Sequence, residues 1–359
     1  MDHIAIDLGS RQSQICSRSP SGTIVWEERV DTDALPALLQ DWSKSRIILE
    51  TSSEAMKIGD AAVEAGHDLR LVPATLARTL GVGARRVKTD IRDAQALSRA
   101  SCLVDLPSIH LRSERSRRRL QQLGARSSMV RARTQLINTA RGWLRTQLLK
   151  VRSAPERFPT NVREQLRAQG VEAPPFLEQL LNSINGLNEQ IKAAQTLIEE
   201  EARNDPDCQR LMTVPGIGPV TSLCFAAVVD DVDRFAKAHA LESYFGLTPG
   251  EKSSSDSVRR TGITKAGPAM IRHYLTQASL TLRRLRPGEP ISCWAQEIAE
   301  RRGKHVATIA VARKLAGILY AMLRDKAKYQ PSRASVIRVV KELPAAKVKR
   351  LLREAGNKS

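Results

Sequence analysis

Residues 110–152 hold eleven arginines and one lysine against a single acid, Glu114, and no proline interrupts them. Helix-forming residues dominate the stretch, which predicts one or two long basic helices. The same imbalance runs through the chain: 57 Lys+Arg face 38 Asp+Glu, a formal net charge of +19. An excess of that size costs stability by self-repulsion unless a polyanion neutralises it. Nucleic acid is the natural partner, bound with an affinity that falls steeply as salt rises. A basic surface without chemistry and an anionic membrane surface are the other readings the charge allows. Arg313 and Lys314 interrupt the longest apolar region, so no membrane-spanning segment is expected. Asp2 and Asp7 stand where a basic-then-apolar leader would be, and a cytoplasmic location is the expectation.

With 359 residues, of which 42% are apolar, the chain can bury a sizeable core and should form two or three domains. Its five cysteines, Cys16, Cys102, Cys208, Cys224 and Cys293, are odd in number and lack metal-ligand spacing. They are expected to be reduced and mostly buried. The six histidines are equally dispersed, so no zinc site is expected.

The first hundred residues alternate strand and helix patterns. Strands are predicted over 3–8, 13–18 and 22–30, a short helix over 35–42, and a buried strand over 46–50. A helix over 54–65 ends at Gly66, a strand follows over 68–73, then helical stretches over 75–80 and 88–101. That element order is the order of a ribonuclease-H-like α/β fold. Residues 1–108 form this domain and 109–153 are basic helices completing it. Residues 154–205 comprise a linker punctuated by Pro155, Pro159, Pro174 and Pro175, then an arm. In the arm, Leu177, Leu180, Leu181, Ile184, Leu187, Ile191, Leu197 and Ile198 recur at roughly helical spacing, as in an antiparallel or intermolecular coiled coil or an ordinary bundle helix. Residues 206–328 form a mainly helical second domain, and 329–359 a basic tail.

Four carboxylates stand out by placement. Asp7 and Glu50 each end an apolar strand, and Asp90 and Asp93 share one face of a helix. Singly, each has an ordinary role open to it: capping a turn, pairing with an arginine, or charging a helix N-terminus. Together they are the cluster that two divalent cations, Mg²⁺ or Mn²⁺, need to hold a scissile phosphate from both sides.

In the second domain, Pro215-Gly216-Ile217-Gly218-Pro219 has the form of a hairpin whose glycines, Gly216 and Gly218, free backbone N–H groups for a phosphate. An ordinary helix–helix turn has the same composition. Ser253-Ser254-Ser255 lies in a polar loop near Arg259, Arg260, Lys265 and Arg272. A hydroxyl beside such cations suits nucleophilic attack on phosphorus, and a linker serine is the plainer alternative.

These motifs together resemble the transposases of insertion-sequence family 110, relatives of the Piv-type DNA invertases described as bridge-RNA-guided recombinases. The likeness covers nearly the whole chain, up to about Asp325. It is carried by Lys-Thr-Asp-x-x-Asp-Ala at 88–94, the basic-helix pattern Arg126, Arg133, Asn138 and Arg141, and the Pro-Gly-Ile-Gly-Pro turn. Gly-Leu-Thr-Pro at 246–249, the serine loop, Gly-Ile-Thr-Lys-Ala-Gly at 262–267 and the segment holding Arg313 and Lys314 complete it. The sequence departs from the family pattern at Ser255, where glycine is usual, and at Pro268.

The resemblance implies a RuvC-like N-terminal domain with an Asp-Glu-Asp-Asp tetrad on Asp7, Glu50, Asp90 and Asp93, binding Mg²⁺ or Mn²⁺. It implies Ser254 as the nucleophile, with Ser253 and Ser255 as rivals, and strand exchange through a phosphoserine intermediate. The implied nucleic-acid contacts are Arg126, Arg133, Asn138, Arg141, Gly216, Gly218, Arg259, Arg260, Lys265, Arg272, Arg313 and Lys314. Donor and target double-stranded DNA, a structured non-coding guide RNA, and a homodimer pairing into a tetramer are implied as partners. The acidic site of one subunit would meet the serine domain of another, at the nucleoid of a prokaryote. Two other readings fit the residues: a metal-dependent junction endonuclease without a covalent intermediate, and a non-catalytic nucleic-acid scaffold.

Overall fold

Ile4-Ala5-Ile6 and Ile47-Ile48-Leu49 are apolar at every position, which suits strands covered on both faces. In the computed structural model, which describes residues 1–77, 90–254 and 257–331, they form the middle of a five-stranded sheet. The strands are β1 (His3–Asp7), β2 (Gln12–Arg18), β3 (Ile24–Asp31), β4 (Arg46–Glu50) and β5 (Asp68–Val72), in the order β3-β2-β1-β4-β5. β1 pairs antiparallel with β2, and β2 with β3, whereas β1–β4 and β4–β5 are parallel.

Side-chain alternation divides the core. Ile4, Ile6, Ile47 and Leu49 face α1 (Leu35–Asp41) and α2 (Ala55–Glu64). Ala5, Ile48 and Val72 face α4 (Asp90–Leu103), which contributes Leu97 and Ala100. A short α3 (Ala74–Ala77) follows β5. The expected succession of strands and helices is therefore present. Residues 78–80 and 88–89 of the predicted helical stretches lie outside the described residues. These elements belong to a unit spanning Met1–Arg112.

The second unit begins at Ser113. The basic stretch is one 33-residue helix, α5 (Glu114–Thr146), capped by the Ser113 hydroxyl accepting from the Ser116 N–H. Its partner is α7 (Pro175–Asn204): Arg119 bonds Glu201 and Arg133 bonds Asn188, so the two helices run antiparallel. Buried Leu177, Leu181, Ile184, Ile191, Ile198 and Ala202 sit three, four or seven residues apart, with Asn188 and Gln195 filling the intervening seam positions. The predicted arm is thus an intramolecular antiparallel pair.

The proline-punctuated stretch expected as a linker contains a helix, α6 (Phe158–Ala168). Pro159 lies in its first turn, where no N–H is needed. Phe158, Val162 and Leu166, four apart, enter the core beside Ile137, Leu144 and Leu181. Proline marked a helix start here rather than a break.

The rest of the unit is α8 (Pro206–Leu211), α9 (Pro219–Val229), α10 (Ala238–Tyr244), the hairpin β6 (Pro249–Ser254)–β7 (Ser257–Ile263), α11 (Ala269–Leu285), α12 (Pro290–Arg302) and α13 (Lys304–Arg324). They share one core centred on Phe225, Phe245, Leu275 and Leu315. Contrary to expectation, α13 is long and apolar enough by length and composition to cross a membrane. Half of its most apolar window is buried, and it packs against α10, α11 and α12, as a core helix does. Cys16, Cys208 and Cys224 are buried free thiols. Burial pushes the Cys208 thiol up to about 12 and that of Cys224 higher still, so neither is reactive at neutral pH.

Arg119 and Asp205 hold the start of α5 to the α7–α8 junction. Both are buried (4% and 3% exposed), with Arg119 Nη2 2.5 Å from Asp205 Oδ2. The other oxygen, Oδ1, accepts the N–H groups of Asp207 and Cys208, capping α8. Burial pushes this carboxyl up, but the Cys208 N–H and Arg119 outweigh it and hold it below the usual aspartate value. Asp205→Ala would leave the buried Arg119 with Glu201 alone and uncap α8, and is predicted to cost about 3 kcal/mol in urea unfolding. A loss under about 1 kcal/mol would refute that role. Because the folded-state value is depressed, the contribution is complete above the unfolded value of about 3.9 and vanishes as pH falls through the folded one. The gap between wild type and variant should therefore close in acid.

Candidate nucleic-acid interface

The parallel register of β1 and β4 pairs Ile6 with Leu49, so Asp7 and Glu50 come one residue later on neighbouring strands, at the same sheet edge. Both are half-buried. α4 packs against β1 and β2 and carries Asp93, 2% exposed, while Asp90, at its first residue, is exposed. The fold thus brings Asp7 and Glu50 side by side and lays the helix bearing Asp93 across the adjacent strands. Carboxylate oxygens are hard donors that suit Mg²⁺ or Mn²⁺. Among the described residues, however, no three His, Cys, Asp or Glu side chains stand close enough to ligate one ion. The donor chemistry fits a divalent metal; the spacing does not.

The polar serine loop is a two-stranded antiparallel hairpin, β6–β7, whose register sets Ser254 against Ser257 and Ser253 against Val258. Ser255, and the side chains of Ser253, Ser254, Arg259 and Arg260, lie outside the described part of the structure. Lys265 is exposed at the hairpin's base, with a left-handed φ of 56°. Arg272, expected near a phosphate, directs Nη1 at three backbone carbonyls, those of Phe245, Ala266 and Gly267. Arg313 is paired with Glu242 at 2.6 Å, and Lys314 lies over the Trp294 ring.

In the Gly-rich turn, Gly216 has φ +87°, and a Cβ there would stand 2.9 Å from the Ala278 carbonyl oxygen of α11. Close packing on α11 accounts for this glycine. Gly218 is the N-cap of α9. The first turn of α9 lines a cavity of about 600 Å³ together with Arg126, Arg133, Glu156 and Lys192.

The predicted basic-helix residues divide between two faces of α5. Arg133 is buried in the seam, bonding Glu156 and Asn188 at 2.8 Å each, and Arg126 is half-buried beside it. Arg141 stacks over the Phe158 ring at 5.3 Å. Asn138 is exposed, and so are Arg131 and Arg145, seven residues to either side of it, hence on the same helical face. Arg131 and Arg145 were not singled out from sequence. The heptad spacing from Leu123 through Ile137 to Leu144 would have found them, because it fixes which face of α5 is inward.

Comparison with known proteins matches residues 208–290 to the family model described as transposase, IS116/IS110/IS902 family. The transposase for insertion sequence element IS1111A of Coxiella burnetii is 25% identical over 333 residues, covering 91% of each chain. A probable family 20 transposase of Pseudomonas aeruginosa is 24% identical, covering 92% of this chain and 99% of its own length. The transposase for element IS1328 of Yersinia enterocolitica is 25% identical, covering 89% and 96% respectively.

The two faces of α5 predict opposite phenotypes. Arg133→Ala should cost about 2 kcal/mol of stability by removing a buried guanidinium together with its bonds to Glu156 and Asn188. The double change Arg131→Ala with Arg145→Ala should leave unfolding unaltered, yet lower the slope of log K for duplex DNA against log salt by about 2. An unchanged salt slope in the double variant would remove that face from the interface.

Proposed function

Because the chain belongs to the IS116/IS110/IS902 family of insertion-sequence transposases, we propose that it cuts and rejoins DNA through a phosphoserine intermediate on Ser254. The observation that carries this reading is the pairing of two features in one chain. Asp7 and Glu50 end adjacent parallel strands beneath the helix of Asp93, and a serine-bearing hairpin springs from the family's matched region. The sheet order β3-β2-β1-β4-β5, with its first three strands antiparallel and the rest parallel, supports a RuvC-like, ribonuclease-H-like assignment for the N-terminal unit.

In the transfer, the Ser254 hydroxyl gives up its proton and its oxygen bonds to phosphorus, while a DNA oxygen leaves and takes up a proton, so that protons balance. One phosphodiester replaces another, so no external energy source is needed and rejoining is the same step reversed. Cations near the base of the hairpin, Lys265 foremost, are suited to the charge that builds on the phosphoryl oxygens. Asp7, Glu50, Asp90 and Asp93 are the residues that would hold Mg²⁺ or Mn²⁺, whose chemistry is to neutralise a phosphate and polarise its oxygens. Among the described residues no three of these carboxylates come together as one set of ligands. Asp7 and Glu50 stand at one sheet edge, and Asp90 and Asp93 on α4, the helix packed against the adjacent strands.

Sequence choice belongs, in this reading, to a structured guide RNA that pairs with donor and target DNA. The 4% aromatic content accords with that, since few side chains could stack unpaired bases while many arginines can follow phosphates. The protein works as a homodimer that pairs into a tetramer, in the bacterial cytoplasm where the DNA is.

The test is a denaturing gel of end-labelled DNA carrying the element's two ends, incubated with the full chain, its co-purified RNA and Mg²⁺. Wild type should give protein-linked DNA. Ser254→Ala should give none, Ser253→Ala should retain it, and Asp7→Ala should lower its yield by about 100-fold or more. An adduct that survives Ser254→Ala overturns the nucleophile. Cleavage without any adduct would instead identify a metal-dependent junction nuclease, and salt-sensitive binding without cleavage a scaffold.

A further inference from the structure

The hairpin that carries Ser254 leaves the body of its unit between α10 and α11, and its base is held by an unusual density of backbone contacts. Gly246 ends the turn after α10 with φ +66°, and a Cβ on it would fall on the carbonyl oxygen of Ala266. Gly267 has φ +70°, and a Cβ there would fall on the Tyr244 carbonyl oxygen. The two chain segments therefore cross at glycine on both sides, closer than any side chain permits. Between them Lys265 adopts φ 56°, a left-handed conformation that a non-glycine residue keeps only where its surroundings impose it. The Lys265 N–H donates to the Gly246 carbonyl at 3.2 Å and the Thr264 N–H to the Thr248 carbonyl at 2.9 Å. Arg272, in the first turns of α11, closes the crossing. Its Nη1 lies 3.0 Å from the Phe245 carbonyl, 2.6 Å from that of Ala266 and 3.0 Å from that of Gly267. One cationic nitrogen so gathers carbonyls from both segments, including one at the negative end of α10.

We propose that Arg272, with Gly246 and Gly267, forms a clasp that fixes the base of the β6–β7 hairpin and thereby positions the serine it carries. Arg272 is a positioning residue, not the phosphate ligand its sequence context suggests. The inference rests on Ser254 being the nucleophile. The six residues of β6 span about 20 Å at about 3.3 Å each, so a tilt of about 10° at the base moves the tip by about 3.5 Å. A displacement of only about 1 Å between reacting atoms can cost about 100-fold in rate. A hairpin of this length can deliver a nucleophile only if its base does not tilt.

Full-length Arg272→Ala, Arg272→Lys and wild type are to be compared by three measurements. These are amide hydrogen exchange at Thr264 and Lys265, duplex affinity for DNA bearing the element's ends, and the single-turnover cleavage rate of that DNA at saturation. In Arg272→Ala the two amides should exchange about tenfold faster or more. Cleavage should slow by about 100-fold while the Kd for the duplex stays within about threefold of wild type. Arg272→Lys, whose ammonium carries three protons for the three carbonyls, should recover part of both losses. Unchanged exchange in Arg272→Ala overturns the clasp. Cleavage that falls in step with duplex affinity, and is restored by excess DNA, makes Arg272 a phosphate ligand and also overturns it. If Arg272→Ala does not fold, Arg272→Met, which keeps the length of the side chain and carries no donor, serves in its place under the same criteria. Ser254→Ala separates the two levels: its adduct reports on the nucleophile alone, and its Thr264 and Lys265 amides report on the clasp alone.

Discussion

Arg119 and Asp205 meet where three helices of the second unit converge, and neither could be buried alone. A guanidinium or carboxylate taken from water without a partner costs several kcal/mol, so each side chain's position is conditional on the other's. Asp205 also caps α8 through the N–H groups of Asp207 and Cys208, and Arg119 reaches back to Glu201 on α7. The pair therefore sets the axial register of α5 against α7 and the point at which the chain turns into α8. From that turn follow the Gly216 approach to α11, the N-terminus of α9 beside α5, and the shared core of α8 to α13. Hydrophobic seam residues drive the association of α5 with α7 but tolerate a slip by one heptad. Two buried ionic groups with directional bonds do not.

Much of the N-terminal unit was legible because its elements are short and its strands alternate between faces. Ile4-Ala5-Ile6 and Ile47-Ile48-Leu49, apolar throughout, can only be central strands, and short polar turns separate the outer ones. The positions of Asp7 and Glu50 at strand ends follow directly. What no spacing along the chain could give is the distance between carboxylates on different elements. That depends on how α4 rides on the sheet, and among the described residues no three carboxylates meet as one set of ligands.

In the second unit the local signals were right and their partners were hidden. The periodicity of α7 announced a seam but not that α5 fills it, since the inward positions of α5 include Arg119, Arg126 and Arg133, which a hydrophobic pattern passes over. Pro155 and Pro159 suggested a break, yet Pro159 sits in the first turn of α6, the one place in a helix where proline is at home. The serine loop's polarity concealed a hairpin held by backbone pairing, to which side-chain hydropathy is blind.

The arginines show why charge alone misassigns roles in a chain of this kind. A guanidinium has five donors in a fixed plane, so it suits a carbonyl cluster or a buried carboxylate as well as it suits a phosphate. Arg119, Arg133, Arg272 and Arg313 are all committed inside the protein, to Asp205, to Glu156 and Asn188, to three carbonyls, and to Glu242. Arg131 and Arg145, on the exposed face of α5, are among the cations that stay open to solvent and that a polyanion can reach. The internal arginines fix structure instead: Arg119 and Arg133 tie α5 to its neighbours, and Arg272 ties the base of the β6–β7 hairpin to α10. In a protein with a net charge of +19, cations paired inside the fold with acids and carbonyls keep part of that charge from adding to surface repulsion.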